Sequence, residues 1–291
     1  MSAALIAVVV ALLLGHVFPT ALPSLRRYDW FVGWLNWLGR QTGHGWPNHV
    51  GLLIAVGLPL LFVGALQFLL DAHWFGLPAF VFALLVLLYT WGPRDLNRDV
   101  EAVVEARDPD ARRAAAAALF PEGGEPVVEG PALVEAVFRC ALWRWFGVLF
   151  WFLVAGAVGA LGYRLVALCA QGEAQRRLPA DQRGIAHTTL AVLNWPVAQL
   201  MTFALALAAD FDRVLGAWRE WHAGGARLDV GFLGAAARAS VASELAAEDA
   251  WVGDDPAQAP GLLELRDAMS LAWRVLLLWL GVLALLVLAG A

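Results

Sequence analysis

The chain contains no lysine, so its 20 basic residues are all arginine, and it sets three tyrosines against 15 tryptophans. Those two skews together mark a coding bias in the source genome and not a functional device. Charge is scarce as well: 15% of the residues are charged, where an average soluble domain carries about 25%. The formal net charge is −5 and no stretch clusters basic residues, which excludes a nucleic-acid-binding footprint. The two cysteines, Cys140 and Cys169, lie roughly one membrane crossing apart; they are not expected to form a disulfide, and two lone thiols make no zinc site. Six histidines are scattered, and the closest pair, His44 and His49, has no acid beside it, so no metal and no other cofactor is expected. P-loop, dinucleotide-binding, nucleophile-elbow and HExxH motifs are all missing. The nearest glycine-rich piece, Glu122-Gly123-Gly124-Glu125, lacks the Lys-Ser/Thr end that would hold phosphate and metal. No catalytic residue is assigned.

What the chain has in plenty is apolar surface. Hydrophobic residues make up 60% and the mean hydropathy is +0.66, which predicts an all-α polytopic membrane protein. Apolar spans are expected at about 3–18, 50–70, 74–91, 146–168, 187–209 and 269–291, forming a single membrane domain over 1–291. The first run lacks a basic n-region and a small-x-small cleavage site, so it reads as a spanning or anchoring helix and not as a removed signal peptide. Between residues 18 and 47, Trp30, Trp34 and Trp37 recur as one face of an interfacial helix. Helical insertions are expected at 92–139 and 210–267. Loops 18–47, 92–139 and 210–267 hold 3, 6 and 5 arginines, against 3 in 171–186. Excess positive charge places the long loops in the cytoplasm, in a bacterial inner membrane.

The stretch from Pro131 to Cys169 organises the rest. Glu135, Arg139 and Arg144 carry charge at helical spacing, and Phe146 to Leu161 carries none, so a helix is expected to pass from water straight into lipid. Gly156, Gly159 and Gly162 recur along it as a seam for another helix. Arg94 and Arg98, with Asp95 and Asp99, repeat at i, i+4 at a membrane exit, and Asp95 is placed to pair with Arg98. Glu135 and Arg139 are set to pair locally. Asn194, beside Pro196 in the fifth span, is placed to satisfy backbone groups that the proline frees. Arg94, Asp95, Arg98, Glu135, Arg139 and Asn194 are therefore the candidate ligand-binding residues, and an anionic small ligand at the cytoplasmic membrane face is the expected occupant.

Ala132 to Arg164 resembles the central helix of the family that joins the cobalamin-biosynthesis protein CobD/CbiB with the inner-membrane protein AmpE. The synthase branch reads A-x-I-E-S-x-A-E-N-x-x-D-G there, and then G-A-P-x-A-x-A-Y-K. Ala132, Glu135, Leu149, Phe150, Gly156, Ala157, Ala160, Leu161, Tyr163 and Arg164 are similar in order and spacing. The second acid is Arg139 here, the Asn is Cys140 and the Asp is Trp143. Asp108 to Arg113 is similar to a D-x-x-x-A-R piece of the family, and Leu193 to Ala198 to its N-x-I-P-A-R-L. Trp91-Gly92-Pro93-Arg94-Asp95-Leu96 resembles the AmpE branch. That likeness implies a non-catalytic signalling or sensor protein tied to β-lactamase induction, antibiotic resistance and peptidoglycan recycling, with the lipid bilayer and a membrane or cell-wall recycling protein as partners. The alternatives are an adenosylcobinamide-phosphate synthase of cobalamin biosynthesis, whose acids would hold magnesium, and a transporter of recycling intermediates. The oligomeric state is left open.

Overall fold

The computed structural model describes residues 2–17, 26–41, 50–71, 77–92, 95–120, 126–225, 228–249 and 260–290. Among these there is no strand, and the chain is an all-α polytopic membrane protein. Among the described residues four stretches are long and apolar enough to cross a membrane: Gly51–Asp71, Gly130–Ala170, Ala180–Ala208 and Leu262–Leu288, the second of them broken at Ala155–Gly156. Two compact units divide the chain, one made of residues 1–93, 147–193 and 286–291, the other of 94–146 and 194–285.

The first unit holds α1 (Ser2–Val17), α2 (Asp29–Gln41), α3 (Gly51–Asp71) and α4 (Leu77–Thr90). Over the described residues α1 has 16 residues and α4 has 14, about 24 and 21 Å at 1.5 Å per residue, against a hydrocarbon layer of about 30 Å. On α2 the buried stripe is Phe31, Leu35 and Leu38, spaced i, i+4, i+7. The tryptophans lie off it: Trp30 and Trp37 are exposed, while Trp34 stacks on Trp37 and donates from Nε1 to the Ala55 carbonyl at 3.0 Å.

The C-terminus of α4 is closed by side chains from elsewhere in the sequence. Arg26 donates to the carbonyls of Leu88 (3.2 Å) and Gly92 (3.0 Å), Tyr28 to that of Tyr89 (2.8 Å), and Arg164 to that of Thr90 (2.7 Å). The last carbonyls of a helix have no intrahelical donor, and cations favour that end of the macrodipole. Both arginines are buried, so the carbonyls hold charge that would otherwise be costly there. Burial also pushes the Tyr28 phenol well above its ordinary pKa, which keeps its proton available for donation.

The remaining pieces of this unit are α8 (Gly147–Ala170), α9 (Glu173–Arg177) and the start of α10 (Ala180–Ala208). The straight crossing expected over 146–168 is not what α8 makes. Ala155 (φ −133°, ψ 18°) and Gly156 (φ 63°, ψ −148°) leave helical geometry, and the chain turns back on itself. A Cβ placed on Gly147 would run into the ring of Tyr163, and one on Gly159 into the carbonyl of Trp151. In a straight helix, residues 16 apart lie about 24 Å from each other, so those contacts require two antiparallel arms. The glycine seam serves this reversal: Gly159 lets the arms approach, while Gly162 faces Leu60 and Gly156 faces Gln67 of α3.

The second unit holds α5 (Leu96–Glu105), α6 (Pro109–Ala116), α7 (Gly130–Ala141), a π-helical turn over Leu142–Phe146, the end of α10, α11 (Phe211–His222), α12 (Gly231–Asp249) and most of α13 (Pro260–Leu288). Sequence signals explain the starts. Asp95, Asp108 and Asp210 each accept a backbone N–H of the following first turn, and Pro109 sits where its missing N–H costs nothing. Helix α7 packs on α12, and α12 on α11.

Candidate functional site

Two ion pairs and a groove concentrate the polar chemistry of the second unit. On α5 the buried face is Leu96, Asp99, Val100 and Val103, so helical spacing forces an acid into an apolar stripe. A buried carboxylate needs a partner, and the π turn supplies one. Arg144 places Nη1 2.6 Å from Asp99 Oδ2 and donates from Nη2 to the Ala118 carbonyl at 3.0 Å. Both side chains are 8% exposed. The flanking aromatics pack on α13, with Trp145 5.1 Å from Trp273 and Phe146 5.1 Å from Trp279 between ring centroids. Trp273 is oriented by its Nε1 donating to Asn97 Oδ1 at 2.9 Å.

The second pair is more open. Leu133, Val134, Val137 and Phe138 bury one face of α7, leaving Glu135 at its margin, where it forms an ion pair with Arg238 of α12. Arg238 is 40% exposed and Glu135 28%. Gly234 makes this possible, because a Cβ there would lie 2.8 Å from Glu135 Cγ. Beside the pair runs a groove of about 660 Å³, lined by Ala217, Glu220, Trp221, Ala235, Arg238 and Ala239, within the size range of small-ligand sites. Trp221 is held as its wall by an Nε1 bond to Asp229 Oδ1 at 3.2 Å, and Asp229 also accepts from Gly231 N–H at 3.0 Å. A half-exposed guanidinium at such a groove can take a carboxylate or phosphate through two parallel bonds, and the neighbouring carboxylate can accept from a hydroxyl or amine.

The residues expected from the sequence to bind a ligand are distributed as follows. Arg94 lies outside the described residues, as do His44, His49 and the Glu122–Glu125 piece. Asp95 caps α5 by accepting from Asn97 N–H at 3.1 Å and does not pair with Arg98, which is exposed. Glu135 pairs across to α12 and not along its own helix to Arg139. Arg139 is half-buried on α7 and Asn194 is buried within α10, which runs on through Pro196. Only Glu135 stands at the groove's ion pair. Arg144, Arg238 and Trp221 are not among the candidates, because each meets its partner outside its own helix, which spacing along one helix does not reveal.

Among the described residues no three His, Cys, Asp or Glu side chains come together as a metal site. Glu135 is a single carboxylate already engaged by a guanidinium, a donor set that does not fit the magnesium implied by the synthase resemblance.

No family profile matches the chain, and no solved structure matches it. Over 189 residues it is 32% identical to the cobalamin biosynthesis protein CobD of Stutzerimonas stutzeri (strain A1501), covering 61% of this chain. The chain spans 60% of the length of that relative. The likeness supports the CobD/CbiB side of the family resemblance, and nothing in it supports the AmpE side.

Proposed function

We propose that this chain is a CobD-like inner-membrane protein of cobalamin biosynthesis, with its ligand groove at the Glu135–Arg238 pair and its arginine-bearing insertions in the cytoplasm. The observation that carries this is the alignment to CobD, together with the retention of the motif's first acid, Glu135, beside a groove of small-ligand size. In the synthase reading ATP activates the carboxylate of adenosylcobyric acid, and the nitrogen of an amino-alcohol displaces the phosphate-bearing leaving group to form the amide. Arg238 would hold a carboxylate or phosphate of a substrate, and Glu135 would receive a proton from the amine. Expression in a strain lacking its own CobD/CbiB protein, supplied with cobyric acid and the amino-alcohol, tests this. Rescue of corrinoid-dependent growth by the native chain, with loss in Glu135→Gln and Arg238→Ala at unchanged membrane abundance, is expected. Failure of the native chain to rescue counts against the enzyme.

A second reading, an AmpE-like sensor, is favoured by one feature: Arg139, Cys140 and Trp143 stand where the synthase motif has an acid, an amide and an acid. Under it, an anionic muropeptide fragment is the occupant of the same groove. Deleting the gene should then change β-lactamase induction and muropeptide pools, and unchanged values of both remove this reading.

A further inference from the structure

The reversal within α8 has a consequence for how the chain meets the bilayer. Breaking a helix at Ala155–Gly156 leaves the last carbonyls of one arm and the first N–H groups of the other without intrahelical partners. In hydrocarbon each such group costs several kcal/mol, so irregular backbone survives only against protein or water. Here the tip is not enclosed: Val154 is 62% exposed and Ala155 is exposed. One side chain does come to it. The Gln67 amide nitrogen is 3.3 Å from where a Cβ of Gly156 would stand, and its Oε1 is buried with no hydrogen-bond partner. A buried amide oxygen without a donor is satisfied by water where the surroundings are polar and roomy enough. Gln67 stands four residues before Asp71, the charged end of α3. Gly156, finally, adopts a backbone region open essentially to glycine alone, the kind of strain that is kept only where the surroundings over-determine it.

We propose that residues 147–170 form a re-entrant hairpin that enters and leaves the membrane on one face, with its tip in a water-filled notch lined by Gln67. The proposal concerns the first unit alone and is independent of the groove at Glu135. The arms of a straight crossing would put Gly147 and Tyr163 about 24 Å apart; in the hairpin they touch.

The test uses the full chain in membrane vesicles, with Cys140 and Cys169 replaced by alanine. In Gly147→Cys/Tyr163→Cys, where the contact is with the far end of the ring and the two Cβ atoms stand beyond direct disulfide reach, a short bifunctional methanethiosulfonate that cannot span the ~24 Å of a straight helix is expected to give an intrachain cross-link identified by mass spectrometry of linked peptides. In the separate variant Ala155→Cys, a membrane-impermeant maleimide is expected to react at least about tenfold faster than with Leu61→Cys, a position facing lipid on α3. Absence of the cross-link in protein that elutes as a folded species overturns the hairpin. Protection of Ala155→Cys equal to that of Leu61→Cys overturns the notch, and this readout stands even if the double variant fails to fold.

Discussion

Replacing Arg144 by methionine should destabilise the second unit more than any other single change to its charged residues. The guanidinium is 2.6 Å from Asp99 and each side chain is 8% exposed, so the carboxylate loses this ion pair in a setting where water does little to replace it. Removing one member of a buried pair costs about 3–5 kcal/mol. The Ala118 carbonyl also loses its donor, a contribution of about 1 kcal/mol within that total. Removing both charges gives a different result. Asp99→Leu/Arg144→Met exchanges a desolvated pair for apolar volume and should fall within about 1 kcal/mol of the native chain. Unfolding by SDS in dodecylmaltoside micelles, followed by tryptophan fluorescence, reads both, because Trp145 and Trp273 lie next to the pair and report its surroundings. A cost below about 1 kcal/mol for the single variant would show that the pair is effectively hydrated. A double variant as unstable as the single one would show that the site matters for shape and not for charge.

Other outcomes follow from the same geometry. Gly147→Ala sets a methyl group against the fully buried Tyr163 ring; it should cost about 1–3 kcal/mol, most of it recovered in Gly147→Ala/Tyr163→Leu, measured by the same SDS titration. Gly156→Ala forces an alanine to φ 63° and should cost about 1–3 kcal/mol, whereas Gly57→Ala, with open space around it, should be neutral or stabilising in α3. Arg26→Ala strips the Leu88 and Gly92 carbonyls of their donor and should cost about 1–3 kcal/mol for each that stays dry, seen as faster proteolysis near residue 92. Gly234→Ala should displace the Glu135 carboxylate and abolish corrinoid rescue while leaving SDS stability almost unchanged, since the pair is partly solvated; intact rescue would remove Glu135 from the site.

Apolar runs made the fold class legible. Long uncharged stretches such as Val50–Leu70 can only be membrane helices, and caps such as Asp108-Pro109 mark helix starts by local chemistry. The α8 reversal was not legible, because Ala155-Gly156-Ala157 reads as a packing seam whether the helix continues or turns, and its periodicity is the same on both sides. Tertiary contacts with Gln67 and Trp151 decide it. Ion pairs were misassigned for a related reason. Spacing along one helix suggests i, i+4 partners worth about 0.2–0.5 kcal/mol, and any partner from another helix in better geometry outcompetes them. Glu135 finds Arg238 and Asp99 finds Arg144 in this way. On α2 two stripes share the i, i+4, i+7 spacing one position apart, and only the tertiary structure shows that Phe31, Leu35 and Leu38 pack inward while Trp30 and Trp37 are left exposed.

The way α4 ends also bears on the order in which the protein can be made. Arg26 and Tyr28 leave the ribosome before the helix whose carbonyls they close, but Arg164 is 74 residues beyond Thr90. At a synthesis rate of about 5–20 residues per second, that separation is on the order of 4–15 seconds. For that interval the helix keeps an open carbonyl, closed only when the α8 arm carrying Arg164 arrives. The donor that closes this helix end is therefore made only after the whole of residues 94–146 has been synthesised.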